Sequence, residues 1–233
     1  MKELGTQNSE PRTQNSFLSP DPDPLAPAKL DFILAGVGGQ GIVLMSDLLA
    51  ETAMEAGFDV KKSDVFGMAQ RGGSVVSQVR IGAEVRSPLL KSGNVEYLIA
   101  LEKLEAARWA SSLRTGGVAV VNDYTLFPLS VSSGAEKYPT DEQVVRSFES
   151  RGSRIDLVDG TGISVRLGNP KVLNVVILGY LASLLPLPWD AWVATIERRV
   201  PAKYRGLNVR ALEAGREAAA TAVLSPEWCS RRL

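Results

Sequence analysis

The chain has 233 residues, of which 45% are hydrophobic and 22% are charged, and these proportions are typical of a globular protein with one sizeable domain. Basic and acidic residues each number 26, so the formal net charge is zero and no basic excess exists to attract nucleic acid or an anionic membrane. No apolar run reaches the roughly 18 residues that span a bilayer, and the N-terminus lacks the pattern of an export signal. We therefore expect a cytoplasmic protein.

Two scarce residue types exclude further classes of chemistry. The sequence contains no histidine and a single cysteine, Cys229. Histidine is the commonest acid–base group near neutral pH and the commonest metal ligand. One thiol cannot complete a disulfide, a zinc site or an iron–sulfur cluster within the chain. If the protein takes part in redox chemistry, its cofactors are therefore held elsewhere.

The chain divides into three segments of different composition. Residues 1–29 are rich in Pro, Ser, Asn, Gln and Asp and have almost no apolar periodicity, which predicts a disordered tail. Residues 30–224 carry strand and helix patterns throughout, and we interpret them as one folded domain. Residues 225–233 are predicted to be a frayed C-terminus.

Strand and helix patterns alternate along the domain. Short apolar or alternating runs predict strands at 31–35, 58–64, 75–81, 97–100, 118–121 and 155–158. Helical spacing predicts helices at 42–56, 102–113, 140–150, 171–184, 189–198 and 208–220. Thr140 and Gln143 form a capping box, and Gly116-Gly117 is predicted to end the second helix. This order predicts a single Rossmann-like, three-layer α/β domain with a mainly parallel sheet.

A glycine-rich loop follows the first predicted strand and opens the first helix. Its sequence, Gly36-Val-Gly-Gly-Gln-Gly41, matches G-x-G-x-x-G, and the helix N-terminus behind it favours an anion. A dinucleotide site also needs an acid at the end of the second strand, about 20 residues on, and Asp64 is roughly placed for this role. The loop is either a phosphate or nucleotide contact or only a turn between strand and helix.

A second glycine-rich loop lies between the second and third predicted strands. It reads Gly67-Met-Ala-Gln-Arg-Gly-Gly-Ser74 and combines flexible glycines with an amide, a guanidinium and a hydroxyl. Arg71 offers a bidentate fork for a carboxylate or phosphate. Taken alone, the loop is better interpreted as a surface loop with a solvated arginine.

Together, the two loops resemble the gamma-domain family of 2-oxoacid:ferredoxin oxidoreductases, and the short free-standing chain looks most like the beta subunit of the indolepyruvate enzymes. Further matching segments follow in the family's order: 98–106, 168–174 running on to Leu178-Gly179, and Val200-Pro201 followed by Asn208 and Gly215. The resemblance covers about residues 30–218. Phe66 and Gln78 stand where many relatives carry histidine, so the substrate need not be indolepyruvate.

The resemblance implies a role in oxidative decarboxylation of a 2-oxoacid, with coenzyme A as acyl acceptor and ferredoxin as electron acceptor. It implies that thiamine diphosphate, Mg²⁺ and [4Fe-4S] clusters lie in a large alpha partner subunit, and that coenzyme A could contact the glycine loops of this chain. No catalytic residue and no metal ligand is assigned here. The expected ligand or interface contacts are Gly36, Gly38, Gly39, Gln40, Gly41, Gln70, Arg71, Gly72, Gly73 and Ser74.

Two other functions remain open from the residues alone. A stand-alone NAD(P)-binding oxidoreductase explains the first loop and Asp64, but it leaves the second loop unexplained. A non-catalytic nucleotide-binding or scaffold protein fits the lack of catalytic groups. The two alternatives differ from the subunit hypothesis in predicting no large partner.

Overall fold

A six-stranded sheet forms the centre of the described part of the chain. The structure is a computed structural model that describes residues 29–67, 73–127, 131 and 137–224. The strands are β1 (Lys29–Val37), β2 (Asp59–Phe66), β3 (Ser74–Gly82), β4 (Val95–Ala100), β5 (Leu113–Asn122) and β6 (Arg154–Val158). The helices are α1 (Ile42–Glu55), α2 (Lys103–Trp109), α3 (Asp141–Glu149), α4 (Gly160–Arg166), α5 (Leu173–Ala182), α6 (Trp189–Arg199) and α7 (Arg205–Leu224).

The strands follow the order β2-β3-β1-β4-β5-β6. Strands β1, β4, β5 and β6 are parallel to one another, whereas β3 runs antiparallel to both of its neighbours, β1 and β2. The prediction of an α/β domain with a mainly parallel sheet is confirmed. The alternating run predicted at 75–81 is the antiparallel strand, which separates β2 from β1.

Alternate residues of the central strands enter two separate cores, which gives the three layers. Phe32 and Leu34 of β1 pack into a core with α1, α5, α6 and α7. Ile33 and Ala35 pack on the opposite face with α2 and α3, since successive side chains of a strand point to opposite sides. Helix α5 is apolar on almost all sides, and it is therefore buried between the sheet and the outer helices.

Several predicted boundaries were wrong for physical reasons. The helix predicted at 102–113 ends as a 3₁₀ turn at Ala110–Ser112, and Gly116-Gly117 lies inside β5 rather than at the end of a helix. There the register of the pairing with β4 shifts between Val95 and Tyr97, as it does at a β-bulge. Gly116 has a φ of 75°, in the left-handed region that such a bulge uses. Glycines 160 and 162 in the first turn concealed α4 from sequence reasoning.

The ends of the chain bear on the predicted segment boundaries. Lys29 already belongs to β1, one residue earlier than the predicted start of the domain. The predictions for residues 1–28 and 225–233 lie outside the described residues.

The capping box at Thr140 is confirmed, because its hydroxyl accepts the Gln143 N–H and the Gln143 side chain accepts the Thr140 N–H.

Candidate functional site

The carboxyl ends of the parallel strands form a crevice at the centre of the sheet. The connection after β1 leads to α1 on one face, and the connection after β4 leads to α2 on the other. Open α/β sheets bind their ligands where the connections from two neighbouring strands lead to opposite faces in this way. Both glycine loops reach this edge, because β3 begins where β1 ends: Ser74 pairs with Val37.

The first glycine loop is a tight turn with two residues in the left-handed region. Gly39 has φ 102° and Gly41 has φ 84°, a conformation that favours glycine. The Gln40 side chain folds back over the loop: its Oε1 accepts the Val37 N–H at 2.7 Å, and its Nε2 donates to the Leu101 carbonyl at 3.3 Å. Gln40 therefore joins the end of β1 to the end of β4.

The second loop contacts the first directly. The Gly38 N–H donates to the Gly73 carbonyl at 2.8 Å, and the Gly67 N–H donates to the Ser74 carbonyl at 2.9 Å. The two predicted groups of residues thus meet at one edge of the sheet. Gln70, Arg71 and Gly72 lie outside the described residues, and the ligand role of both loops stays a prediction.

A buried carboxylate in α2, which the sequence did not single out, anchors the second loop. Glu105 is 3% exposed; its carboxylate accepts the Ser74 hydroxyl at 2.6 Å and the Arg108 guanidinium at 2.6 Å. A buried carboxylate needs such partners to offset its desolvation. The signal available in the sequence was only an acid in the first turn of a helix, which is common for favourable interaction with the helix dipole.

Glu102, the N-cap of α2, and Lys103, its first residue, contact both ends of the long connection 123–140. Glu102 accepts hydrogen bonds from the Leu126 N–H, at 3.2 Å, and from the Tyr138 hydroxyl. Lys103 Nζ lies 3.0 Å from Asp123 and 2.7 Å from Asp141, residues that stand at the two ends of the connection. The described ends of this connection therefore lie at the start of α2, beside the same edge of the sheet as the glycine loops.

The titration of two groups reflects this packing. Burial, together with the hydrogen bond to Glu102, raises the pKa of the Tyr138 hydroxyl, which therefore stays protonated as a donor. Burial disfavours the charge of Lys103, but hydrogen bonds to Asp141 and Asp123 outweigh that effect and raise its pKa. Both contacts therefore persist at neutral pH.

Asp64, the candidate acid for a dinucleotide ribose, lies away from the first loop. Its carboxylate accepts the Ser77 hydroxyl at 2.5 Å and pairs with Lys62 at 3.1 Å. Asp64 pairs with Ser77 of β3, which in turn pairs with Leu34 of β1. Leu34 lies three residues before the end of β1, which corresponds to about 10 Å along the strand. Because β3 stands between β1 and β2, the acid that a dinucleotide site requires is not beside the loop.

Other residues considered from the sequence have structural partners. Asn174 is 4% exposed and donates to the Gly41 carbonyl at 3.3 Å, and Asn169 caps the turn at Pro170 by accepting the Lys171 N–H. Arg198 and Arg199 pair with acids of α1. Of these groups, Asn174 supports the first glycine loop from inside the core, and the contacts of Asn169, Arg198 and Arg199 lie elsewhere.

The described ranges contain neither a candidate metal site nor a helix suited to cross a membrane. Within residues 29–67, 73–127, 131 and 137–224, no group of three or more His, Cys, Asp or Glu side chains is arranged to hold a metal ion. In the same ranges, none of the helices combines the length and apolar character that crossing a membrane requires.

The fold and the paired loops define an α/β subunit of a known class of oxidoreductase. The chain belongs to the pyruvate ferredoxin/flavodoxin oxidoreductase family, which matches residues 31–218. It is 35% identical over 189 residues to indolepyruvate oxidoreductase subunit IorB of Archaeoglobus fulgidus, covering 80% of this chain and 94% of the relative. The corresponding subunit of Thermococcus kodakarensis is 33% identical over 192 residues, 81% and 95% of the two chains. The resemblance inferred from the loops is confirmed.

Solved structures support the same fold. The gamma subunit of a keto/oxoacid ferredoxin oxidoreductase from Geobacter sulfurreducens superposes with a TM-score of 0.63 at 24% identity, over 82% of this chain and 99% of that one. A 2-oxoglutarate:ferredoxin oxidoreductase from Magnetococcus marinus superposes with a TM-score of 0.67 at 18% identity, over 84% of this chain and 32% of that chain. In the latter enzyme the fold is therefore one part of a longer polypeptide.

Proposed function

We propose that the chain is the small subunit of a 2-oxoacid:ferredoxin oxidoreductase whose substrate is indolepyruvate or another arylpyruvate. The observation that carries the proposal is the similarity to indolepyruvate oxidoreductase subunits, at 31–35% identity over about four-fifths of this chain. Subunits of pyruvate enzymes are also similar, at 27% identity in Methanothermobacter marburgensis. The difference in identity favours the arylpyruvate substrate.

The chemistry of the complex is divided between subunits in this proposal. With no histidine and one cysteine, the chain cannot supply the four thiolates of an iron–sulfur cluster. The large alpha subunit holds thiamine diphosphate, Mg²⁺ and the [4Fe-4S] clusters, and ferredoxin takes the electrons. The small subunit completes the cleft and contacts the alpha subunit.

Coenzyme A is the ligand that the loops of this chain are suited to receive. Its phosphates are anions, and α1 presents its N-terminus behind the loop with no acidic residue in its first turn. Among the described residues, no atom lies within 4 Å of a Cβ built at Gly39, and we propose that this side of the loop receives the ligand. We assign Gly39, with Arg71 of the second loop, to the contact with the phosphates.

The test of the subunit role is co-purification of the tagged full chain with its partner from the native cell. We expect a large thiamine-type chain, iron–sulfur absorbance, and 2-oxoacid-dependent dye reduction with the highest kcat/KM for an arylpyruvate. A complex that prefers pyruvate or 2-oxoglutarate would contradict the substrate assignment. A colourless protein that elutes alone and binds NAD(P) would contradict the subunit role.

The test of the coenzyme A contact uses two matched glycines at opposite ends of α1. Gly39 has φ 102° and Gly57 has φ 90°, and a Cβ at either meets nothing within 4 Å. Aspartate at Gly39 places a negative charge at the loop, so Gly39→Asp should raise the KM for coenzyme A at least about tenfold through like-charge repulsion in a confined site. Gly57→Asp, with the same backbone strain, should leave it unchanged. Equal effects of the two substitutions would contradict the contact.

A further inference from the structure

The Gln40 amide crosses the crevice in which α/β folds hold their ligands. Its oxygen accepts the Val37 N–H at 2.7 Å, and its nitrogen donates to the Leu101 carbonyl at 3.3 Å. An N–H at the end of β1 is the type of donor that binds a ligand anion in glycine-rich loops. Here a side-chain oxygen of the same chain accepts it.

Each of the three glycines of the G-x-G-x-x-G pattern is also in contact with the chain itself. A Cβ at Gly36 would lie 2.7 Å from Gln40 Oε1 and 2.7 Å from Ile42 Cδ1, and a Cβ at Gly41 would lie 2.6 Å from Asn174 Nδ2. The Gly38 N–H is bonded to the Gly73 carbonyl. In a dinucleotide site the second glycine admits the pyrophosphate to the backbone. In this chain the Gly73 carbonyl of the second loop occupies that side of Gly38.

Gln40 is also the first member of a row of hydrogen bonds across the strand ends. The Leu101 carbonyl that it contacts accepts a second hydrogen bond, from Asn122 Nδ2 at 3.3 Å. Asn122 is fully buried, and its amide bonds the Thr161 hydroxyl at 3.0 Å and the Thr161 N–H at 3.1 Å. The row thus connects β1, β4, β5 and the start of α4. A shift of Gln40 would loosen the β1 end of this row.

We propose that Gln40 is a positioning and specificity-determining residue. Its amide takes the place of a ligand anion beneath the first loop and joins the end of β1 to the end of β4, and the turn that it holds carries Gly38, whose N–H donates to the Gly73 carbonyl. The first loop therefore offers a ligand only its outer side at Gly39, and a diphosphate, whether of a dinucleotide or of coenzyme A, is excluded from the inner side that Gln40 Oε1 occupies.

Two substitutions separate the roles of the two amide atoms. Gln40→Met keeps the length of the side chain and removes both hydrogen bonds. Gln40→Glu keeps an acceptor for the Val37 N–H but removes the donor to Leu101. Gln143 provides the matched control, because its Oε1 also accepts a backbone N–H three residues earlier, that of Thr140, at 2.9 Å. Gln143→Met should alter only the start of α3.

The first measurement is hydrogen–deuterium exchange of the full chain in its purified complex. In Gln40→Met we expect the Val37 amide to exchange at least about tenfold faster, the effect of losing one buried hydrogen bond. Gln40→Glu should retain more protection at Val37, and Gln143→Met should leave Val37 unchanged. Unchanged exchange at Val37 in Gln40→Met would overturn the proposal.

The second measurement rests on the proposed function and uses the same complexes. Both Gln40 variants should raise the KM for coenzyme A about fivefold or more while the KM for the 2-oxoacid stays unchanged, because one displaced hydrogen bond shifts the loops. An unchanged KM for coenzyme A beside faster exchange at Val37 would overturn the positioning role. A complex without substitutions that turns over no 2-oxoacid would instead overturn the proposed function, and the exchange result would stand.

Discussion

Strand β1 has two neighbours of opposite direction, and the halves of the sheet on its two sides are built differently. On the parallel side, the connections from β4 to β5 and from β5 to β6 contain α2 and α3, and side-chain amides of Gln40 and Asn122 connect the strand ends. On the antiparallel side, β2 and β3 form a hairpin joined to β1 by backbone pairing. At its amino end this side is also held by the buried Asp31–Arg80 ion pair.

The difference explains why we expect no dinucleotide site at the glycine loop of this chain. The parallel half has the crevice and the helix N-terminus that such a site requires. The antiparallel half replaces the neighbouring parallel strand by β3, so that Asp64 is displaced by one strand and the Gly73 carbonyl covers Gly38. We therefore expect a ligand at this edge to be contacted by two loops rather than by one loop and a distant acid.

The largest effect should follow from breaking the ion pair of the antiparallel half. Arg80 donates to both oxygens of Asp31, at 2.9 and 3.2 Å, and to the carbonyls of Ser87 and Leu89. Asp31 is 1% exposed, so Arg80→Leu leaves a buried charge that Lys29 only partly offsets and should lower the free energy of unfolding by about 3 kcal/mol.

Urea unfolding measures this loss, with Arg86→Gln as the control. Arg86 also pairs with a carboxylate, that of Glu84, but both side chains are exposed, and its removal should change stability by less than about 0.5 kcal/mol. Equal unfolding midpoints for the two variants would show that the buried pair does not hold β3 to β1.

The second effect concerns the parallel half. Asn122 is fully buried, and Asn122→Ala leaves the partly buried Thr161 N–H and hydroxyl without this partner, which should cost about 2 kcal/mol. Asn169→Ala, which removes an asparagine that caps only a 3₁₀ turn, should cost about 1 kcal/mol or less. Thermal unfolding of both variants ranks the two costs, and the reverse order would contradict the role of the row across the strand ends.

Sequence reasoning reached the fold class and the two loops because their signals are local. Glycines after an apolar run, a capping box at Thr140 and alternation at 75–81 are all readable within a few residues. The order of the strands depends on pairings between segments far apart, such as Val37 with Ser74. Periodicity alone does not reveal that β3 enters the sheet between β1 and β2.

The side chains that hold the site together were missed for the same reason. Asn122 is a single asparagine at the end of a strand, and Glu105 is an acid in a first helical turn; neither pattern is specific. Their importance arises from partners distant in sequence, Thr161 for Asn122 and Ser74 for Glu105. Gln40 was among the expected ligand or interface contacts, but the sequence could not tell that its amide bonds the chain itself.

A smaller effect should distinguish two glycines within the first loop. Gly39→Ala and Gly41→Ala both put an alanine at positive φ, at a cost of about 1 kcal/mol each. At Gly41 the new Cβ also meets Asn174 Nδ2, at 2.6 Å, whereas at Gly39 it meets nothing. Gly41→Ala should therefore lose about 1 kcal/mol more, the value of the hydrogen bond between Asn174 and the Gly41 carbonyl.

Chemical unfolding of these two variants gives the difference directly. A lower stability of Gly39→Ala than of Gly41→Ala would contradict this prediction. It would mean that a Cβ is less well tolerated at Gly39 than beside Asn174 at Gly41. Gly206→Ala serves as the baseline, because a Cβ at Gly206 meets nothing and Gly206 is not among the glycines with positive φ. It should be neutral or slightly stabilising, by up to about 1 kcal/mol.

The smallest effect is expected at Asp64, and it tests the dinucleotide interpretation. The carboxylate pairs with Lys62 and accepts the Ser77 hydroxyl in a partly exposed position, so Asp64→Asn should change the free energy of unfolding by less than about 1 kcal/mol. If Asp64 contacted a ribose hydroxyl, the same substitution would weaken NAD binding measurably. With β3 between the acid and the glycine loop, we expect titration calorimetry to detect no saturable NAD binding by either chain. Saturable binding that Asp64→Asn abolishes would mean that β2, and not the second loop, completes the site on the antiparallel side of β1.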